Sequence, residues 1–96
     1  MPFDIASIDD VVHGKVRLGV MATLAEAGSA SFSALKSQLG VTQGNLSIHL
    51  GKLEQAGYVA IDKRFEGKKP LTIVRITPAG RNAFADYLDA IARLVA

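Results

Sequence analysis

The chain contains no cysteine and no tryptophan, and only 6% of its 96 residues are aromatic. Without cysteine, neither a disulfide framework nor a thiolate metal site can form. Only two histidines are present, His13 and His49, and they lie far apart in the sequence without an evident set of ligand residues around either. We therefore expect no bound metal and no cofactor.

A long apolar run is also missing. The longest, over residues 18–25, is broken by Gly19 and Thr23 and is too short to cross a membrane. Three aspartates among the first ten residues occupy the segment where a signal peptide would need its apolar region. These features predict a cytoplasmic protein with no membrane partner.

Arrangements that carry catalysis are equally absent from the sequence. It has no paired carboxylates, no Ser/His/Asp or Cys/His set, and no glycine-rich loop suited to cradle a phosphate. We therefore expect a protein that is not an enzyme and has no catalytic residue.

Apolar residues, in contrast, are plentiful, at 49% of the chain. A chain of this length forms one domain, residues 1–96, and buries only about 60–65% of the surface that its unfolded form exposes. Some of the apolar surface is therefore expected to meet a partner.

Positive charge is concentrated in the middle of the chain. The net charge is +2, but residues 36–81 contain eight basic and three acidic side chains, so this part alone carries +5. The preceding part carries −2 and the following part −1. A basic module of this kind favours a polyanionic partner, although an ordinary solvated surface explains the charge equally well when it is considered alone.

The first half of the chain predicts three main helices, of which the last two are joined by a short turn. A helix over residues 15–27 ends at Gly28, and a shorter helix containing Ile5, Ile8, Val11 and Val12 precedes it, entered through Ser7. After an extended piece at residues 31–32, Ser33 is predicted to cap a second helix over residues 34–39. Thr42 is predicted to cap a third, over residues 43–56. Only Gly40 and Val41 separate the second helix from the cap of the third, which is the spacing of a helix-turn-helix over residues 33–57.

The second half predicts a hairpin and a final helix. Residues 58–65 and 71–76 alternate as strands, and the turn between them, E-G-K-K-P, is rich in glycine and lysine. Thr77 is predicted to cap the last helix and Pro78 to occupy its first position, where a missing N–H costs nothing. Two short helices followed by a basic hairpin predict a winged helix-turn-helix, with residues 58–77 as the wing.

Three runs of sequence resemble known regulators. The recognition helix of MarR-type and ArsR-type families is similar to V-T-Q-G-N-L-S-I-H-L-G-K-L-E-Q-A-G-Y-V at 41–59, and the start of their first core helix to H-G-K-V-R-L at 13–18. Residues 63–81 resemble the wing and the start of the last helix in a compact winged-helix subgroup. The resemblance implies a mainly α fold with a small β-hairpin and a transcriptional regulator, expected to be a repressor, that binds double-stranded DNA as a homodimer.

The third helix is expected to enter the major groove. Leu46, Leu50 and Leu53 share one face and form its core side. Gly44 and Gly51 share the opposite face, and since interior glycines cost a helix about 1 kcal/mol each, they favour close approach of a partner there. The expected base or groove contacts are Gln43, Gly44, Asn45, Ser47, Ile48 and Lys52.

Other polar residues are expected to contact the DNA backbone. Those in the wing are expected to contact phosphates or the minor groove. This set is Thr42, His49, Lys63, Arg64, Lys68 and Lys69. A structural hydrogen bond is nearly as good an explanation for His49. For Arg17, a structural ion pair that ties the first helix to neighbouring backbone is favoured over any contact with DNA.

The two ends of the chain, residues 1–28 and 78–96, are expected to form a homodimer. The last helix carries an apolar stripe whose residues are spaced by four and three positions. Further apolar residues, including Phe3, lie near the N-terminus of the chain. The predicted interface residues are Ile5, Ile8, Val12, Phe84, Tyr87, Leu88, Ile91, Leu94 and Val95.

Two alternatives remain open at this level. A winged helix that binds only proteins would lack specific DNA binding, and the absence of arginine from the third helix is compatible with it. The sequence does not indicate a small-molecule effector, but a ligand in a dimer cleft is left open.

Overall fold

A computed structural model describes residues 4–95. Four helices and one antiparallel three-stranded sheet make up the fold, which confirms the predicted winged helix-turn-helix class. In chain order the elements are α1 (Lys15–Ala27), β1 (Ser29–Ser31), α2 (Phe32–Leu39), α3 (Gln43–Gln55), β2 (Val59–Glu66), β3 (Lys69–Ile76) and α4 (Pro78–Val95). Within this described part, no helix combines the length and the apolar character that crossing a membrane requires.

The core forms where α1 packs against the other elements. Val20, Met21 and Leu24 of α1 are fully buried, and Leu35 of α2 is buried with them. The predicted bounds of α1 are confirmed, with Gly28 donating its backbone N–H to the carbonyl of Leu24. The three leucines predicted on the inner side of α3 complete this core.

The segment before α1 differs from the predicted helix. It contains a single 3-10 turn, Ile5–Ser7, in which the Asp4 carboxylate accepts a bond from the N–H of Ala6, and Ile8 follows in extended backbone. The Asp9 carboxylate then accepts bonds from the backbone N–H groups of Val11 and Val12, at 2.8 and 3.1 Å. The prediction of a helix entered through Ser7 was wrong because two aspartates each cap a separate turn.

The helix-turn-helix begins two residues earlier than predicted. Ser31, not Ser33, caps α2, its side-chain oxygen accepting a 3.0 Å bond from the N–H of Ala34. Ser31 takes this position because β1 pairs with β3, which places Ser31 opposite Ile73 and ends the strand there. The Thr42 cap of α3 is confirmed by a 3.1 Å bond from the N–H of Asn45.

The sheet has the order β1-β3-β2, and the wing turn is tighter than predicted. Glu66 pairs with Lys69, so only Gly67 and Lys68 form the loop, and Pro70 lies within β3 instead of in the turn. Gly67 has a φ of +64°, as the first central position of a type II′ turn requires, and no other residue type tolerates this conformation as easily.

The start of α4 is fixed against the end of α3. The Thr77 hydroxyl accepts a 3.0 Å bond from the N–H of Gly80, which confirms the predicted cap, and it donates a 2.6 Å bond to the carbonyl of Gly57. A side chain at Gly80 would collide with the backbone carbonyl of Tyr58. Glycine therefore allows α4 to approach the wing closely at this point.

Candidate nucleic-acid interface

The outward row of α3 consists of Gly44, Ile48, Gly51 and Gln55. All four are exposed, and Ile48 exposes 62% of its surface although it is a large apolar residue. Among residues 4–95, a methyl group added at Gly44 or Gly51 would meet no atom within 4 Å beyond its own turn of helix. Neither glycine is therefore required by packing inside the protein.

One flank of α3 lines a groove shared with the wing. Gln43 and Ser47 of α3 face Lys63 of β2 and Thr72 of β3 across an open cleft of about 600 Å³. Lys63 and Thr72 are direct cross-strand partners, so they lie side by side on the same face of the hairpin. The structure thus brings three predicted contact residues, Gln43, Ser47 and Lys63, to one cleft.

Sequence reasoning missed Thr72 and Glu54 as members of this groove. Thr72 could have been found from the turn, because a two-residue loop at Gly67–Lys68 fixes the pairing of Thr72 with Lys63. Glu54 introduces the one carboxylate of the groove, and it lies at the end of α3 away from Gln43.

The other flank of α3 is anchored to the segment before α1. The Arg17 guanidinium donates a 2.6 Å bond to the carbonyl of Val11, and its Nη1 lies 2.8 Å from Nδ1 of His49. Because arginine can only donate, His49 accepts at Nδ1 and carries its proton on Nε2. Arg17 thus ties α1 to neighbouring backbone as predicted, but it does so by hydrogen bonds, since Arg17 forms no ion pair with any residue in the range 4–95.

Burial and the neighbouring positive charges favour the neutral form of His49. Burial lowers the pKa of His49 below its ordinary value of 6.5, and the positive charges of Arg17 and Lys52 lower it further. Lys52 itself is exposed on the same flank, as is Asn45. This side of α3 therefore presents an amide and an ammonium group beside a neutral imidazole.

The basic residues of the wing point in different directions. Residues 62–70 are all exposed. Lys63 faces the groove, whereas Arg64 lies on the opposite face and forms an ion pair with Asp62. Lys68 is in the turn and Lys69 lies opposite Glu66. Apart from the paired Arg64, the positive charge of the wing therefore lies at Lys63, at the tip, and at the exposed Arg75 near the end of β3.

Two hydrogen bonds join the segment before α1 to the second half of the chain. The Tyr58 hydroxyl donates a 2.5 Å bond to the Asp9 carboxylate, and this bond, with burial and the negative charge, raises the pKa of Tyr58 to about 12. Nδ1 of His13 lies 2.8 Å from the hydroxyl of Tyr87 in α4. The N-terminal segment is thereby held against the base of the wing and against α4.

The predicted dimer residues divide into two groups. Val12 and Tyr87 are buried within the chain itself, and Ile8, Phe84 and Ile91 are half-buried. The exposed members, with 48% to 79% of their surface accessible, are Ile5, Leu88, Leu94 and Val95. Phe3 lies outside the described residues. Of the predicted interface residues, therefore, only these four are exposed on the surface.

These features, a helix-turn-helix followed by a basic two-stranded wing, match a known family. A family model described as "Winged helix DNA-binding domain" matches residues 16–95. The chain belongs to this family. The match covers α1 through α4, so every element that forms the candidate interface lies within the winged helix domain.

Relatives of this winged helix domain come from archaea and bacteria. An uncharacterized protein of Methanocaldococcus jannaschii is 37% identical over 84 residues, which are 88% of this chain and 91% of that protein. A transcriptional regulator homologue from Pyrococcus horikoshii OT3 matches with a TM-score of 0.83 and 32% identity, over 88% of this chain and 84% of that one.

A third match extends the likeness to a named group of regulators. A chain from Enterococcus faecalis V583, assigned to the MarR family of transcriptional regulators, matches with a TM-score of 0.72 and 28% identity. The match covers 88% of this chain and 76% of that one. The fold of this winged helix domain is therefore MarR-like, as the resemblance of the recognition helix predicted.

Proposed function

We propose that this protein is a transcriptional regulator that binds double-stranded DNA sequence-specifically, with α3 in the major groove and the wing on the adjacent backbone. The observation that carries the proposal is the continuous exposed surface from the outward row of α3 to Lys63 of the wing. Two glycines on that row have no packing role inside the chain. A major groove, which just admits a helix, is a partner that needs such close approach.

The residues around this surface suit different parts of a duplex. An amide can bond an adenine edge bidentately, so Gln43 and Asn45 are assigned to A·T pairs, and the exposed Ile48 to a thymine methyl group. Lys63, Lys68 and Lys69 are assigned to phosphates, which fix position without reading sequence. Thr42 and neutral His49, which keeps an N–H on Nε2, are assigned to phosphates beside the helix.

Selection of bound duplexes from a random pool, followed by a salt titration of the best binder, tests the proposal. We expect an enriched motif rich in A·T pairs and an affinity that falls steeply with salt, because each neutralised phosphate releases counterions. No detectable binding to any duplex at low salt would contradict it. That outcome would favour the alternative, a winged helix that binds only proteins.

We also propose that regulation takes the form of repression, because a protein seated across a promoter blocks polymerase from the same DNA. A reporter placed behind the selected motif should be expressed less when the protein is present. Increased expression would instead make the protein an activator.

The protein is further proposed to act as a homodimer through its terminal segments. Apolar surface is exposed on α4 at Leu88 and Val95, and on the N-terminal segment at Ile5. A soluble monomer does not usually leave such a surface uncovered. A two-fold dimer would cover it and would set two α3 helices to reach major grooves about 34 Å apart.

Equilibrium sedimentation of Leu88→Asp tests the dimer. The added charge should shift the protein from dimer to monomer and weaken binding to DNA with two half-sites. Asn82→Asp is the matched control, since it adds the same charge on the polar side of α4. A wild-type monomer at micromolar concentration, with DNA binding unchanged by Leu88→Asp, would rule the dimer out.

A further inference from the structure

The wing ends in an exposed aromatic side chain that the assignments above do not use. Phe65, near the tip of β2, leaves 72% of its surface accessible. Its direct cross-strand partner is Pro70. Removal of apolar surface from water is favourable, so a partner that covers Phe65 gains binding free energy from it.

The hairpin geometry holds Phe65 and Pro70 together as one apolar unit. Glu66 and Lys69 flank a two-residue turn and form a hydrogen-bonded pair, so the next pair, Phe65 and Pro70, does not exchange ladder bonds. Proline therefore loses no bond with β2 by lacking an N–H. Side chains of such pairs lie closer than in hydrogen-bonded pairs, which lets the proline ring support the phenyl ring.

The position of this unit relative to the groove is set by strand alternation. Ile61 and Lys63 of β2 line the groove beside α3, and Phe65 is the next residue on the same face. It lies about 6–7 Å beyond Lys63 in the direction of the tip. If Lys63 contacts the backbone beside the major groove, the next feature of the duplex in that direction is the minor groove.

The charges around Phe65 indicate the chemical class of its partner. Lys63 and Lys68 lie on either side of it along the chain, and the hairpin from residue 59 to residue 76 carries a net charge of +3. Glu66 is adjacent as well, but the net charge of the hairpin is positive, and an apolar group on a positively charged hairpin suits a polyanion with apolar parts inside. A nucleic acid duplex, with stacked bases behind its phosphates, fits this description.

We propose that Phe65, supported by Pro70, is a wedge that the wing inserts into the minor groove, where it partly unstacks one base step and bends the duplex. This inference depends on the DNA binding proposed above. Apolar wedges of this kind kink DNA by about 20–90° toward the major groove. Pyrimidine–purine steps deform most easily, so the wedge also selects sites that have a TA or CA step under the wing.

The test compares bending and affinity in wing variants of the full chain. The probe is a 40-base-pair duplex, a length of roughly four helical turns, carrying the motif selected by the wild-type protein and a fluorescence donor and acceptor at its ends. Phe65→Thr removes the wedge but keeps a residue that favours strands, and Phe65→Leu restores an apolar wedge. Lys63→Ala is the control, because it removes a charge on the same face.

We expect Phe65→Thr to straighten the bound duplex and to bind about ten-fold more weakly, with an unchanged salt slope. Phe65→Leu should keep most of the bend. Lys63→Ala should keep the bend and lower the salt slope by about 1. Replacing the TA or CA step under the wing should lower the DNA affinity of the wild-type protein more than it lowers the DNA affinity of Phe65→Thr.

Other results would overturn the wedge in distinguishable ways. Equal bending by wild type and folded Phe65→Thr would refute it while leaving DNA binding intact. Dissociation of a wild-type oligomer by Phe65→Thr would assign Phe65 to a protein contact instead. A wild-type protein that binds no duplex would refute the proposed function itself. A lower melting temperature for Phe65→Thr but not for Phe65→Leu, without any bend in the wild-type complex, would make Phe65 a structural residue of the hairpin.

Discussion

Helix α3 and the wing form one surface but differ in chemistry. Residues 43–55 carry one basic and one acidic side chain and no net charge, whereas the hairpin over residues 59–76 carries +3. The helix has small, amide and apolar groups on its exposed side, and the wing has lysines. If both contact the same duplex, the helix contributes fit and base discrimination and the wing contributes sequence-independent attraction.

The largest expected effect comes from removing charge at the wing tip. Lys68→Ala with Lys69→Ala should weaken binding roughly a hundred-fold at low salt, to selected and random duplexes alike, because about two counterion-releasing contacts are lost. Fluorescence anisotropy over a salt series measures both affinity and slope. The matched control is Lys15→Ala with Arg93→Ala, which removes the same charge outside the wing. If the control weakened binding as much, net charge and not wing position would be responsible.

A smaller effect, confined to specific DNA, is expected at α3. Asn45→Ala should cost about 1–3 kcal/mol on the selected motif and almost nothing on random duplex, since a bidentate pair with adenine is lost. Competition between the two duplexes measures the ratio directly, and Asn82→Ala on α4 is the control. Equal losses on both duplexes would move Asn45 from the base-reading group to the phosphate group.

Gly51→Ala should separate stability from binding. Alanine favours helix over glycine by about 1 kcal/mol, and the site has open space for a methyl group, so the free protein should become more stable. Binding to the selected duplex should nevertheless weaken several-fold, because the outward row approaches the groove less closely. Chemical denaturation and anisotropy report the two quantities, with Ser37→Ala on α2 as a control that raises helix propensity elsewhere. A more stable variant with unchanged affinity would remove close approach as the reason for this glycine.

The smallest expected effect concerns pH and the α3 flank. The pKa of His49 is lower in the folded protein than its ordinary 6.5, so the folded state binds fewer protons at acid pH than the unfolded state does. The resulting stability is present above pH 6.5 and is lost as the pH falls through the lowered pKa. His49→Asn keeps an acceptor for Arg17 without titrating, and it should flatten the decline in melting temperature below pH 6.5. Parallel profiles for the two proteins would show that His49 is not the titrating group.

The local parts of this architecture were predictable from sequence, and the long-range parts were not. Thr42 and Thr77 were recognised as caps because each stands directly before a periodic segment, and the three leucines of α3 followed from helical spacing alone. Ser31 and Ser33 could both have capped α2, and the pairing of β1 with β3, more than 40 residues away, decided between them. A helix cap bonds residues that are neighbours in sequence, whereas strand pairing joins residues that are far apart in sequence.

The same distinction between local and long-range contacts explains which residues of the candidate site were predictable. Helical periodicity placed the outward row of α3 correctly, yet Lys63 and Arg64 looked equivalent as neighbouring basic residues. Only the register of the hairpin turns Lys63 toward α3 and leaves Arg64 with Asp62. The bond between Arg17 and His49 joins residues 32 positions apart, and no local pattern encodes it.

The projecting wing and the 18-residue α4 give the chain an elongated outline of 57 × 25 × 21 Å. Its radius of gyration is 14.4 Å, against about 12.5 Å for a compact domain of this length. A particle of this shape has a high frictional ratio and tumbles anisotropically. The monomer should therefore elute from a gel-filtration column ahead of globular standards near 10 kDa, whereas its mass at sedimentation equilibrium, which is independent of shape, should be that of the chain or of its dimer.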